Sequence, residues 1–160
     1  MAFNHPHCAE VWMHPQAMAQ SVPSLPLAMM PTERKSRVLL VEDDADMRRL
    51  VAAVLSHDGH DVVQEVDGVA MLRRIEAGFY GERPDYFDLI VADIQLPDIT
   101  ALEVLGLAGR GLASPIILMT AYGDEQARAE ACLLGVVALL KKPLDWNKLR
   151  RAVRTALGLR

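Results

Sequence analysis

Apolar residues in this chain follow two rhythms. Short unbroken runs occupy residues 38–41, 89–92, 116–119 and 136–140, and a fifth stretch, 62–66, is rich in β-branched residues. Runs of this length and composition predict strands, the first ones buried on both faces. Between them the spacing changes. Met47, Leu50, Val51, Val54 and Leu55 fall at i, i+3, i+4, i+7 and i+8, one helical face, and Gly59 stops that helix. Met71, Leu72, Ile75 and Phe79 outline a second helix ending near Gly78 and Gly81. A polar connection from Tyr80 to Tyr86 leads to the central strand, 88–92. A short helix around 102–107 is closed by Gly109 and Gly111. Asp124 caps a helix through Ala127, Ala131 and Leu134 that Gly135 ends. Asp145 caps the last helix, whose buried face is Leu149, Ala152, Val153, Ala156 and Leu157. Five strands alternating with five helices predict a parallel sheet covered on both faces, with right-handed crossovers.

Residues 1–35 break this rhythm. They hold five of the nine prolines, five of the eight methionines and three of the five histidines, with no sustained apolar period. They are expected to form a poorly ordered extension before a domain of residues 36–160. The spacing of His5, His7, Cys8 and His14 matches no tetrahedral metal pattern. The composition of the whole chain is ordinary for a globular protein: 51% hydrophobic, 24% charged, net charge −4. The acidic balance argues against a nucleic-acid surface. No apolar run approaches the roughly 18–20 residues of a membrane span. There is no signal-peptide pattern, and Cys8 and Cys132 suggest no disulfide framework. A cytoplasmic protein is expected.

In a parallel sheet all strands end at one rim, where open α/β folds carry their chemistry. The central run ends in Asp93, followed at once by a turn with Pro97. The first strand ends in Glu42-Asp43-Asp44, the fourth in Thr120, the fifth in Lys141-Lys142-Pro143. Clustered carboxylates repel unless compensated. A hard divalent cation compensates them, and Mg²⁺ also takes phosphate oxygens. Asp93 is then a carboxylate nucleophile for a phosphoryl group. Lys142 neutralises one phosphoryl oxygen and Thr120 donates to another. Each residue also has a plainer reading. Asp44 caps the first helix, Thr120 caps a turn, Lys142 is one solvated charge beside Lys141, and Asp98 and Asp124 are turn and cap residues.

Together, Val41-Glu42-Asp43-Asp44, the Asp93 to Pro97 stretch, Met119-Thr120-Ala121 and Lys142-Pro143 resemble the receiver domain of bacterial two-component response regulators. The resemblance covers roughly residues 36–158, and Met47-Arg48-Arg49 is similar to single-domain members. It implies a flavodoxin-like, CheY-like fold with strand order 2-1-3-4-5. It implies that Asp93 accepts a phosphoryl group from a phosphohistidine on a histidine kinase or histidine phosphotransfer protein. Asp43, Asp93 and the Gln95 backbone carbonyl would bind Mg²⁺, and Glu42 would act through metal-bound water. Thr120 and Lys142 would hold phosphoryl oxygens, and the Lys142-Pro143 bond matches one that is often cis.

Four positions depart from the family pattern or vary within it. Leu139 stands where a Tyr or Phe switch residue is usual. Ala101 stands where a glycine is common, so the turn is expected to differ. Gln95 and Tyr122 occupy the two positions that tune hydrolysis, and the bulk of Tyr122 predicts slow loss of the phosphoryl group. The chain is expected to act by docking, as monomer or weak homodimer, on an unidentified protein partner, without contact to nucleic acid or membrane. The docking surface would be the fourth helix, fifth strand and fifth helix, with a basic last helix (Lys148, Arg150, Arg151, Arg154). Relay to a phosphotransfer protein is equally compatible. Two other classes remain. An aspartyl-nucleophile phosphatase needs a second Asp two residues after the first, where Gln95 stands. A receiver-like binding module that needs no phosphorylation would explain Leu139 and Ala101, but not the intact Asp43, Asp93, Thr120 and Lys142.

Overall fold

The apolar runs become the strands of one sheet. The computed structural model describes residues 12–13, 34–80, 86–121 and 125–159. Tyr122, Asp124 and the His5, His7, Cys8 and His14 group lie outside the described residues. In chain order the elements are β1 (Trp12–Met13), β2 (Arg37–Val41), α1 (Ala45–His57), β3 (Asp61–Glu65), α2 (Gly68–Tyr80) and β4 (Leu89–Asp93). There follow α3 (Ala101–Ala108), β5 (Ile116–Thr120), α4 (Glu125–Leu133), β6 (Ala138–Lys141) and α5 (Trp146–Ala156). The sheet order is β1-β6-β5-β4-β2-β3. Its five parallel strands therefore run 2-1-3-4-5, as expected.

The sixth strand was not expected. Trp12 and Met13, within the segment read as a poorly ordered extension, lie antiparallel to β6, opposite Leu139 and Ala138. Two residues are too short to leave a period in the sequence.

Alternation along the strands builds two apolar layers. Val38, Leu40, Leu89, Val91, Ile117, Met119 and Leu140 face α1 and α5, where Val51, Leu55, Leu149 and Val153 cover them. Leu39, Val41, Ile90, Ala92, Ile116, Leu118 and Leu139 face α2, α3 and α4, against Met71, Ile75, Leu102, Leu105 and Ala131. Both faces are buried, which is why these strands read as continuous apolar runs rather than alternating ones.

Helix ends follow local rules. After α1, the Gly59 N–H donates to Ser56 O and the His60 N–H to Leu55 O; after α4, Gly135 donates to Cys132 O and Val136 to Ala131 O. Both pairs are Schellman closures, and both glycines have the positive φ that closure requires, 94° and 77°. This corrects the expected strand 136–140. Val136 spends its N–H on closing α4 and Val137 donates to Ile116 O, so the strand begins only at Ala138. Helix α2 runs to Tyr80, so it ends between Gly78 and Gly81 as expected.

Helix α3 opens with a capping box. Thr100 Oγ1 accepts from the Glu103 N–H at 3.2 Å, and Glu103 Oε2 accepts from the Thr100 N–H at 2.8 Å. The Thr100 N–H, and then its hydroxyl, hold the Glu103 carboxyl below the ordinary carboxylate range. Its contribution is therefore complete above the unfolded pKa and is lost as pH falls through the lowered native value. Thr100→Ala is expected to cost about 1 kcal/mol in urea unfolding at neutral pH, and less in acid.

Candidate functional site

The topological switch point lies between β2 and β4, the pair from which the chain winds in opposite directions. Val41 registers with Ala92, so the Glu42-Asp43 turn and Asp93 leave the sheet side by side. On the other flank Asp93 registers with Met119, and Thr120 with Lys141. Strand parity then decides which side chains meet. Glu42 and Asp93 continue the rows that face α1 and α5, whereas Thr120 and Leu139 continue the rows that face α2 to α4.

The first group converges. Carboxylate oxygens of Glu42, Asp43 and Asp93 lie within 4.8 Å of one another. Lys142 Nζ donates to Glu42 Oε2 at 2.8 Å and also to Asp93 Oδ2. Asp93 Oδ1 accepts from the Gln95 N–H at 2.9 Å, and Glu42 Oε1 from the Asp44 N–H at 3.3 Å. Glu42 is wholly buried, Asp93 nearly so, and Asp43 is exposed.

Burial raises the Glu42 carboxyl above its ordinary range. The Lys142 hydrogen bond opposes that shift, and the neighbouring Asp93 charge adds to it. Burial alone would lower Lys142, but its bonds to Asp93 and Glu42 outweigh burial and leave its pKa raised. Three carboxylates and one ammonium leave two negative charges in excess. The donor set is all oxygen and open to solvent on the Asp43 side, which fits a hard divalent cation. Both oxygens of Glu42 and both of Asp93 already accept hydrogen bonds, so Asp43, the exposed member, is the carboxylate most open to direct ligation.

Thr120 sits at the adjacent strand tip, buried, and its carbonyl accepts the Lys142 N–H at 2.7 Å. Leu139 is buried in the α2–α4 layer. Asp44 is the α1 cap, accepting from the Met47 N–H at 2.7 Å, as its plainer reading held. The Lys142–Pro143 bond is cis. Ala101 needs no glycine. It is the first residue of α3, its N–H donates to Ile94 O at 3.1 Å, and the positive φ of this loop falls on Asp98 at 69°.

One participant escaped sequence reasoning. Arg48 Nη1 donates to the carbonyls of Glu42, at 2.8 Å, and Asp43, at 3.3 Å, fixing the turn that carries both acids. The available signal was its place in the first turns of α1, four residues after the cap.

A doubly wound five-stranded parallel sheet with an acidic cluster and a half-buried lysine at its switch point defines a receiver fold. A family model described as the response regulator receiver domain matches residues 38–154, and the chain belongs to that family. Among curated relatives, the response regulator ArlR of Staphylococcus saprophyticus is 30% identical over 122 residues, 76% of this chain and 52% of that protein. ArlR of Staphylococcus aureus strain Mu50 is 29% identical over the same share. The chain thus spans about half the length of these relatives. Among solved structures, a CheY-like response regulator receiver domain protein from Methanospirillum hungatei JF-1 superposes with a TM-score of 0.69 at 25% identity, covering 78% of this chain and 95% of that one. The chemotaxis response regulator CheY4 of Vibrio cholerae shares the fold, with a TM-score of 0.65 at 24% identity, covering 78% of this chain and all of that one.

Proposed function

We propose that this chain is a phosphoacceptor, with Asp93 as the residue that receives the phosphoryl group. The observation that carries this reading is the Asp93 carboxylate at the central strand tip, bonded by Lys142 and the Gln95 N–H, with Glu42 and Asp43 beside it. The donor is a phosphohistidine on a histidine kinase or phosphotransfer protein. An Asp93 oxygen attacks phosphorus, a P–O bond forms as the P–N bond breaks, and the electron pair returns to the imidazole nitrogen. Lys142 then binds one phosphoryl oxygen, and Thr120 donates its hydroxyl to a second. Mg²⁺, when bound, supplies charge neutralisation. Asp43, Asp93 and the Gln95 carbonyl are the groups assigned to hold it, with Glu42 acting through water.

Such a chain is a signalling module and not a turnover catalyst, apart from slow loss of its own phosphoryl group, tuned at Gln95 and Tyr122. We assign it to the cytoplasm; among the described residues no helix is long and apolar enough to cross a membrane. Output is docking on a protein partner through α4, β6 and α5, or relay to a phosphotransfer protein. Leu139 lacks a ring, so any switching rests on Thr120. The burial of Leu139 in the core also supports a second reading, a binding module that works unphosphorylated.

Incubation with acetyl phosphate and Mg²⁺, followed by intact-mass measurement, separates the readings. The wild-type chain should gain one phosphoryl group and Asp93→Asn none. An equal gain in both would overturn the assignment to Asp93. No gain with acetyl phosphate or with a phosphorylated histidine phosphotransfer domain would favour the unphosphorylated binder, and steady turnover of a phosphomonoester would indicate a phosphatase.

A further inference from the structure

The loop that follows Asp93 is folded tightly and leans on a distant glycine. Ala101 N–H closes it onto Ile94 O, and the Ile94 N–H is tied to Met119 O at 2.9 Å. At its apex the Ile99 N–H donates to Pro97 O at 2.9 Å across Asp98, whose φ is 69°. This is a γ-turn of the positive-φ kind, a strained conformation for a residue with a side chain. Such a conformation persists only where the surroundings enforce it.

Gly68 supplies that enforcement. It is the first residue of α2, held there by Asp67, whose Oδ1 accepts from the Ala70 N–H at 2.7 Å. Unlike Gly59 or Gly135, Gly68 has no positive φ, so backbone freedom does not call for glycine. Space does. A Cβ there would overlap the Ile99 carbonyl oxygen and lie 2.7 Å from Ile99 Cγ1 and 3.0 Å from the Ile99 carbonyl carbon. Two of these three atoms are backbone and cannot swing aside.

We infer that Gly68 is a positioning residue for the phosphoacceptor loop. Its missing side chain lets the Ile99 peptide seat against the start of α2. That seating holds the γ-turn, and through the short loop it sets the Gln95 peptide, whose N–H orients Asp93 and whose carbonyl is the assigned metal donor. This rests on the phosphoacceptor reading of Asp93. A side chain at residue 68 must push the 97–99 segment outward, and displacements of about 1 Å near reacting groups cost up to roughly 100-fold in rate.

The test compares full-length Gly68→Ala with Gly106→Ala. Gly106 is also a helical glycine, but a Cβ there would meet no atom within 4 Å. Gly68→Ala should lower the acetyl phosphate reaction rate at saturating Mg²⁺ by about tenfold or more. It should also weaken Mg²⁺ binding by calorimetry and shift the Gln95 amide resonance. Gly106→Ala should match wild type in all three. A wild-type rate, Mg²⁺ affinity and Gln95 resonance in Gly68→Ala would overturn the inference. If Gly68→Ala does not fold, Ile99→Ala takes its place. It keeps the carbonyl but removes the side chain that packs the loop against the core beside Gly68, and it should shift the Gln95 resonance and slow the reaction; an unchanged resonance and rate would overturn the inference equally. If the wild-type chain itself takes up no phosphoryl group, the phosphoacceptor reading fails, and the Mg²⁺ affinity and Gln95 resonance still decide the role of Gly68.

Discussion

Lys142→Met is expected to destabilise the fold by about 3–5 kcal/mol, the cost of leaving a buried charge without its partner. Glu42 is fully buried and Lys142 is the only cation bonded to it among the described residues. Methionine fills similar volume, so the loss is electrostatic rather than a cavity. Glu42→Gln makes the informative contrast. It deletes a desolvated charge, leaves the Lys142 bond to Asp93, and should fall within about 1 kcal/mol of wild type. The pH dependence has a definite sign. A carboxyl with a raised native pKa favours the fold below its unfolded pKa, and that contribution is lost as pH rises through the native value. Removing Lys142 raises Glu42 further, so Lys142→Met should regain stability relative to wild type on acidification. Urea unfolding across pH measures both effects. Equal losses from Lys142→Met and Glu42→Gln would refute this account of the pair. On the proposed function, the same substitution should slow phosphoryl uptake by roughly 100- to 1,000-fold, the scale for removing one charge-stabilising donor.

Asp43→Asn should separate stability from function. Asp43 is the exposed member of the acidic cluster. Without metal, its charge only adds to the local excess, so its removal should leave unfolding unchanged or make it harder by up to about 1 kcal/mol. Mg²⁺ affinity should move the other way. Losing an outer partner of a metal ligand already costs about 10- to 100-fold. Losing an assigned direct donor should cost about 100-fold or more. Calorimetric titration with Mg²⁺ tests this. Unchanged affinity would remove Asp43 from the ligand set, and a large loss of apo stability would show that it holds the fold instead.

Much of this fold is written locally. The strands at 38–41, 89–92 and 116–119 are legible because burial on both faces forces continuous apolar runs. Gly59 and Gly135 are legible as stops because the closing bonds lie within six residues of one another. The acidic rim could be read from strand ends alone, since a parallel sheet delivers all its tips to one edge. What stayed hidden depends on partners far along the chain. Glu42 reads as a metal-side acid, yet its main bond is to Lys142, 100 residues away. Gly68 carries no signal of its own in the sequence, and only its approach to Ile99 shows why a side chain does not fit there. Val136 and Val137 look like strand by composition but are claimed by the closure of α4 and the step into the sheet.

Strand β1 has a consequence for association. Open sheet edges invite foreign strands, and this sheet shields one edge with a two-residue patch opposite Ala138 and Leu139. A partner that adds itself edge-on along β6 must displace Trp12 and Met13 from Leu139 and Ala138, the pairs that guard this side among the described residues.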